Sequence, residues 1–167
     1  GSVHALVGPS GTGKTRLALE VSRKARSLGL VCLGGRCAAA ANGEPGAPLH
    51  AFRALGHRLG HLADRHRSQF DDVIGDHAAI LLPYFPQLQP HLPAATRHRP
   101  ADDSAEPVLG ALVDVLGRMT EGEPLLLVMD DVQWADDLSA AALARLCVEA
   151  SRRPWILLTL SDRDDHG

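Results

Sequence analysis

The residues of this chain with the clearest chemical potential lie near its start, in the run Gly8-Pro9-Ser10-Gly11-Thr12-Gly13-Lys14-Thr15. This run matches the pattern G-x-x-x-x-G-K-[ST] at every fixed position. The glycines allow successive backbone N–H groups to converge on phosphate oxygens. Lys14 supplies a positive charge for the β- and γ-phosphates, and Thr15 supplies a hydroxyl for Mg²⁺. We therefore expect these eight residues to bind the phosphates of a nucleotide.

A pair of carboxylates follows the longest aliphatic run of the chain, Leu125 to Met129. An apolar run that ends in Asp130 and Asp131 predicts a buried strand with two acids at its carboxyl end, where α/β sheets bind their ligands. Phosphoryl transfer requires a carboxylate near the metal and a group that orients the attacking water. We expect Asp130 to hold Mg²⁺ through a water molecule, and Asp131 to polarise the nucleophilic water, with Lys14 as its catalytic partner. Two exposed acids in a turn are the alternative interpretation.

Two other polar clusters give weaker signals. His57 and His61, with Asp64 one turn further on, can share one face of a helix, but no third strong ligand accompanies them. A polar helix surface is therefore favoured over a zinc site. Asp136 and Asp137 are explained as charges at the start of a helix.

The elements that must position these residues follow from apolar patterning. Short apolar runs predict four buried strands, at 3–7, 30–33, 125–129 and 155–158. Helical spacing predicts five helices: one bearing Leu17, Leu19, Val21 and Ala25 and ended by Gly29, then 49–62, 72–82, one capped by Ser104, and one begun by Asp136 or Asp137. Residues 38–48 and 83–100 are predicted to be irregular. Continuous apolar strands that alternate with helices predict an α/β fold with a parallel sheet covered on both faces.

The composition excludes several classes of protein. The chain has 167 residues, 45% of them apolar and 22% charged, with a net charge of -3. These values are typical of a globular protein and argue against disorder, and no apolar run is long enough to span a membrane. The near-neutral charge gives no general basic field for nucleic acid. Three cysteines without a CxxC pair make a disulfide framework improbable, so we expect a cytoplasmic protein.

Four segments together carry a resemblance to a known family. They are Leu-Leu-Leu-Val-Met-Asp-Asp-Val-Gln-Trp-Ala-Asp at 125–136, Gly35-Arg36-Cys37 with Pro48-Leu49 and Phe52 downstream, Leu-Leu-Pro-Tyr-Phe-Pro-Gln-Leu at 81–88, and Pro154 to Thr159. They resemble a bacterial family of STAND/AAA-type ATPase modules, which are similar to the origin-recognition ATPase domain. Such modules lie in the N-terminal half of large LuxR-type transcription regulators and in some nucleotide cyclases and protein kinases.

This resemblance implies a P-loop NTPase fold of the AAA/ASCE type, a three-layer α/β/α sandwich. It implies a helical segment at about 49–120, between the second strand and the acidic strand. It also implies ATP rather than GTP, ADP as product, Mg²⁺ as cofactor, and slow or regulated hydrolysis that drives self-association. The resemblance implies the same roles for Lys14, Thr15, Asp130 and Asp131 that are given above. It also implies that Thr159 is the polar residue that senses the γ-phosphate.

The family pattern and this chain differ near residue 160. Where the family usually has an Arg, this chain has Ser161, and Arg163 comes two residues later. A working Arg sensor is therefore not expected, and the chain is predicted to use ATP mainly as a switch. The resemblance also predicts that residues 1–167 form one partial domain, ending before a fifth strand and a helical lid. In that sheet order the first strand would be left at an unpaired edge.

The favoured hypothesis is an ATP-binding switch module of a LuxR-type bacterial transcription regulator. DNA would be bound through a helix-turn-helix domain outside this chain. The alternatives are an ATPase module of a nucleotide cyclase or protein kinase signalling protein, and a DNA-directed initiator-like ATPase. A degenerate module that serves as an interaction scaffold is a further alternative.

Overall fold

The computed structural model describes residues 1–39, 46–97 and 104–162. The strands and α-helices, in chain order, are β1 (Ser2–Gly8), α1 (Lys14–Ser27), β2 (Val31–Arg36), α2 (Arg53–Arg65), α3 (Arg67–Ile74), α4 (Ala78–Leu81), α5 (Ala94–Arg97), α6 (Ala105–Thr120), β3 (Leu125–Asp130), α7 (Asp137–Ala150) and β4 (Trp155–Asp162). They divide into a sheet unit, Gly1–Phe52 with Gly122–Gly167, and a helical unit, Arg53–Glu121. None of the helices in the described ranges is long and apolar enough to cross a membrane.

The sheet unit contains one four-stranded sheet in the order β1-β4-β3-β2, and every neighbouring pair is parallel. The four predicted strands and their parallel pairing are confirmed. Leu125 of β3 lies between Val31 of β2 and Trp155 of β4, so β2, β3 and β4 begin at the same level of the sheet. Their carboxyl ends therefore also lie side by side, which brings Asp130 next to Arg36.

Helices cover both faces of this sheet. On one face, a cluster of buried residues joins α1 to the strands: Ala18, Ala25, Cys32, Leu126, Leu158 and Leu160. Because successive strand residues point to opposite faces, Leu125, Leu127 and Leu157 belong to the other face. They are buried there, and α7 contacts β4 and β1. The α/β class with helices on both sides of a parallel sheet is thus confirmed.

Of the four apolar residues that the sequence places on α1, only Ala25 is buried. Leu17, Leu19 and Val21 are exposed, while Ala18, Ser22 and Ala25 are buried. Residues 17, 19 and 21 are two apart, which scatters them around a helix, whereas 18, 22 and 25 follow the helical repeat. The small side chains of the buried set bring α1 close to the sheet.

β1 lies at the edge of the described sheet, as predicted, with β4 as its neighbour. Its side chains Val3 and Val7 are exposed. Strand edges of this kind carry backbone N–H and C=O groups that another chain segment can pair with.

The segment between β2 and α6 departs from the sequence prediction at its turns. Leu49 has a φ of 57°, so the predicted helix from Leu49 begins only at Arg53, after a 3₁₀ turn at His50–Phe52. The predicted helix 72–82 is instead α3 and α4, because Gly75, with φ 46° and ψ −136°, ends α3. Residues 83–100 were predicted to be irregular but contain a 3₁₀ helix, Pro86–His91, and α5. Residues 98–100 of that segment, and residues 40–45 of the predicted loop 38–48, lie outside the described ranges.

The core of the helical unit is formed by aliphatic and aromatic side chains from all its longer helices. Phe70 of α3 and Phe85 are fully buried, as are Leu59 of α2 and Leu116 of α6. The helices thus pack around an apolar core, consistent with the amphipathic spacing seen in the sequence.

Candidate functional site

The turn between β1 and α1 has the backbone conformation that phosphate binding requires. Gly11 and Gly13 have φ angles of 80° and 88°, a region that other residues occupy only with strain. The Thr12 hydroxyl donates to the Pro9 carbonyl at 2.8 Å and closes the turn. Gly13 is the N-cap residue of α1, a helix of 14 residues. The partial positive charge of the α1 N-terminus therefore faces the loop.

A cavity of about 310 Å³ opens beside this loop. Its lining residues are glycines and polar or charged residues, and they come from four places in the chain: Ser10, Gly11, Gly13, Lys14, Thr15 and Arg16 from the loop and α1, Arg36 from β2, Asp130 and Asp131 from the end of β3, and Asp162 from β4. The structure thus brings the loop residues and the two carboxylates to one cavity. Its size is at the lower end of the range for small-molecule sites.

Lys14 is the first residue of α1, and its side chain is largely buried. Its Nζ donates to the carbonyl oxygens of Gly8 and Pro9, at 2.8 and 2.9 Å. It also lies 2.7 Å from Oδ1 of Asp162. All three ammonium protons therefore have an acceptor, and the charge is fixed inside the cavity.

Thr15 and Asp130 meet across the cavity although they are 115 positions apart in the sequence. The Thr15 hydroxyl donates to Oδ2 of Asp130 at 2.9 Å, and Oδ1 of Asp130 accepts from the Asp131 backbone N–H at 3.0 Å. Hydroxyl and carboxylate oxygens are hard ligands of the kind that Mg²⁺ prefers. The donor set therefore fits the metal that the sequence predicts.

Asp131 follows β3 in a left-handed conformation, with φ 56° and ψ 40°. Its Oδ2 accepts from Nε of Arg36 at 2.7 Å, and its Oδ1 accepts from Nε2 of Gln133 at 3.5 Å. The hydrogen bond and the charge of Asp131 raise the pKa of the Arg36 guanidinium above its ordinary value. Asp131 thus lines the cavity as the partner of Arg36, whose side chain is 73% exposed.

Sequence reasoning did not identify Arg36 as a site residue. Arg36 is the last residue of β2 and stands next to Asp130 in the parallel register. The signal available in the sequence was its position, immediately after the second apolar run and its two glycines.

Asp162 was also missed, because the predicted fourth strand, 155–158, ended four residues before it. The strand in fact continues to Asp162, which pairs with Gly8, the first residue of the phosphate loop. The Asp162 backbone N–H donates to Oε1 of Gln133 at 3.2 Å. Gln133 therefore links the end of β4 to Asp131.

Thr159 is not at the strand end where it was predicted. It pairs with Ala5 in the middle of the β1–β4 ladder, and its hydroxyl donates to the His4 carbonyl at 3.4 Å. It is not among the residues lining the cavity. The extra strand residues after Thr159 explain this difference. Arg163 lies outside the described residues.

Asp136 has a larger structural role than its predicted place at a helix start. It is the N-cap residue of α7, and it is buried. Its Oδ1 accepts from the backbone N–H groups of Ser139 and Leu49, at 2.9 and 3.3 Å, and its Oδ2 accepts from the Ser139 hydroxyl at 2.6 Å. This carboxylate therefore ties the segment after β2 to the start of α7, just behind the acidic pair.

The histidines do not form a metal site within the part of the chain that the structure describes. His57, His61 and Asp64 are exposed residues of α2. No group of three His, Cys, Asp or Glu residues in the described ranges could hold a metal ion. The polar helix surface favoured from the sequence agrees with this exposure.

A comparison with protein families matches residues 2–158 to the model of the AAA ATPase domain. The matched range includes the phosphate loop, both acidic residues and all but the last four residues of β4. A search of curated proteins found no match.

Proposed function

Because the chain belongs to the AAA ATPase domain family, we propose that it binds ATP with Mg²⁺ at this cavity and hydrolyses it slowly, as a regulatory switch. The observation that carries the proposal is the contact of Thr15 with Asp130 beside Lys14. Three predicted site residues from two distant motifs line one cavity, together with an oriented helix N-terminus.

The phosphates of ATP or ADP would be held by the loop from Gly8 through Pro9, Ser10, Gly11, Thr12, Gly13 and Lys14 to Thr15. The left-handed glycines allow backbone N–H groups to converge on a phosphate, and Lys14 adds the positive charge of the loop. Thr15 and Asp130 would hold Mg²⁺ through their oxygens. When bound, the ion supplies positive charge that stabilises the phosphates.

Hydrolysis would depend on Asp131. Its carboxylate would orient the attacking water and accept its proton. Oδ2 of this carboxylate accepts from Nε of Arg36 at 2.7 Å, which leaves Oδ1 as the oxygen that would take the proton. We propose slow turnover and a switch-like use of ATP because Ser161 stands where the family usually has an Arg.

The wider role that we propose is that of a module in a multidomain bacterial transcription regulator of the LuxR type. The support is the resemblance of residues 125–136 and of the three other segments given above. Self-association would occur through the ATPase module, and DNA would be bound by a domain outside this chain. The net charge of -3 supports this division, because the chain lacks a basic excess for holding a nucleic-acid backbone.

The experiment that tests the proposal measures the affinity for ATP with Mg²⁺ and with excess EDTA. The wild-type chain is expected to bind ATP more tightly with Mg²⁺, and Asp130→Asn is expected to remove most of that difference. Asp137→Asn, which changes an exposed acid on α7, is the matched control and should behave as wild type. An Mg²⁺ effect that persists unchanged in Asp130→Asn would contradict the proposed metal site.

A second measurement addresses hydrolysis. Steady-state release of phosphate should fall in Asp131→Asn while ATP affinity is retained. Added DNA should leave turnover unchanged, whereas a large stimulation by DNA would favour the DNA-directed alternative.

A further inference from the structure

The end of β4 places a carboxylate on the lysine of the phosphate loop. Oδ1 of Asp162 lies 2.7 Å from Nζ of Lys14, in an ion pair that is largely shielded from solvent. The other two acceptors of Lys14 are the carbonyl oxygens of Gly8 and Pro9. A phosphate oxygen that binds Lys14 needs one of these three N–H donors, so it must replace an acceptor that is already there.

We propose that Asp162 is an internal counterion that competes with nucleotide phosphate for Lys14 and thereby lowers the affinity of the site for nucleotide. This inference rests on the proposed function and adds the residue that sets its affinity.

Asp162 is the acceptor that gives way most easily. The two carbonyl oxygens belong to the loop backbone, whereas Asp162 reaches Lys14 by a side chain that is 31% exposed and can rotate into water. Its backbone stays in place, because its N–H is bound by Gln133 and its residue pairs with Gly8. Asp162 also carries the same sign of charge as phosphate, so the two groups would repel each other when both are next to Lys14.

The charges around the cavity also favour the replacement of Asp162 by phosphate at Lys14. Its cations are Lys14, Arg16 and Arg36, and its carboxylates are those of Asp130, Asp131 and Asp162. The lining is thus already balanced, three against three, before any phosphate charge is added. Asp130 accepts from the Thr15 hydroxyl and Asp131 is paired with Arg36 at the end of β2, which leaves Asp162 as the carboxylate paired with the charge of Lys14.

The first arm of the test is the affinity for ADP without Mg²⁺, which reports phosphate binding apart from the metal and from turnover. Asp162→Asn and Asp162→Ser are expected to bind ADP about three- to tenfold more tightly than wild type. The loss of an ion pair of this exposure gives up to about fivefold, and the loss of like-charge repulsion adds to it. Asp137→Asn is the charge-matched control and should leave the affinity unchanged.

The second arm of the test measures how strongly Asp162 protects Lys14 from chemical modification in protein without nucleotide. The chain has two lysines, Lys14 and Lys24, and Lys24 lies exposed on α1. Acetylation by a water-soluble ester, quantified by peptide mass spectrometry, gives the ratio of Lys14 to Lys24 modification. Because the Lys14 side chain must leave the Asp162 carboxylate before its amine can attack the ester, the ratio should rise at least about threefold in both Asp162 variants. Circular dichroism of each variant checks that it is folded.

The outcomes separate the inference from the function on which it rests. Tighter ADP binding together with a higher Lys14 ratio supports the inference. Unchanged or weaker ADP binding in the folded variants overturns it, whatever the labelling shows, because Asp162 then does not compete with phosphate. Failure of the wild-type chain to bind ADP or ATP overturns the proposed function and the inference together.

Discussion

Gly35 and Gly34 offer a matched test of how the segment after β2 packs on the sheet. Both glycines lie within β2, and neither has a positive φ. A Cβ on Gly35 would overlap the carbonyl oxygen of Ala51 and stand 2.7 Å from Sδ of Met129. A Cβ on Gly34 would meet nothing nearer than the Val128 carbonyl oxygen, at 4.0 Å. The same substitution to alanine therefore probes a crowded and an open position, one residue apart.

The loss of stability expected for Gly35→Ala depends on which atoms must move to make room for the new methyl group. Ala51 belongs to the 3₁₀ turn His50–Phe52 and is buried, so its carbonyl can leave only if that turn shifts as a whole. Overpacking of this kind costs about 1–3 kcal/mol, and we expect Gly35→Ala to lie at the upper end, at about 3 kcal/mol. At this chain length that corresponds to a fall in Tm of about 6–12 °C. Gly34→Ala should be neutral or stabilising by about 0.5–1 kcal/mol, because alanine loses less backbone entropy than glycine.

Urea unfolding followed by circular dichroism gives both free energies on the same baseline. The two variants should differ by about 3–4 kcal/mol. Stabilities for Gly35→Ala and Gly34→Ala that agree within about 0.5 kcal/mol would refute the close approach of the 3₁₀ turn to β2.

Two further predictions concern the surroundings of the acidic pair. Asp136→Ala should destabilise the fold by about 2–4 kcal/mol in urea unfolding, because it removes a helix cap and leaves the buried Leu49 N–H without its acceptor. Asp137→Ala, which changes the exposed neighbouring residue, should cost less than about 1 kcal/mol. Equal costs for the two variants would contradict the described role of Asp136. Burial first, and the nearby Asp136, Asp131 and Asp130 charges second, raise the pKa of the Cys37 thiol from 9.0 to about 11. Between these values the unfolded chain loses the thiol proton before the native chain does, so this group's contribution to stability is complete below pH 9 and is lost as the pH rises through 11. The free energy of unfolding of wild type relative to Cys37→Ala should therefore fall by about 2 kcal/mol between pH 8.5 and 10.5, and a difference independent of pH would contradict the shifted pKa.

The parts of the fold that could be predicted are those fixed by local pattern. The four apolar runs and the loop Gly8 to Thr15 depend on residues close together in sequence, and the structure contains them as β1, β2, β3, β4 and the turn before α1. Asp130 was identified by the same logic, since an acid directly after a buried run must lie at the end of that strand.

The parts that could not be predicted depend on pairing between distant segments. Asp162 belongs to the site because β4 extends alongside β1 as far as Gly8, and its polar sequence after Leu160 gives no apolar signal for that extension. Arg36 enters through the register of β2 with β3, which no local pattern reveals. Thr159 lies in the middle of β4 for the same reason: pairing with β1, and not the hydrophobicity of β4 itself, determines where β4 ends.

The measurement that tests the central claim most directly is the binding of ATP with Mg²⁺ by isothermal titration calorimetry, compared between Lys14→Ala and Lys24→Ala. Both variants remove one lysine, the first from the phosphate loop at the start of α1 and the second from the exposed surface of α1. The wild-type chain and Lys24→Ala are expected to bind one ATP with equal affinity, while Lys14→Ala loses at least about thirtyfold. Equal binding of ATP by Lys14→Ala and Lys24→Ala would contradict the assignment of this cavity as the nucleotide site.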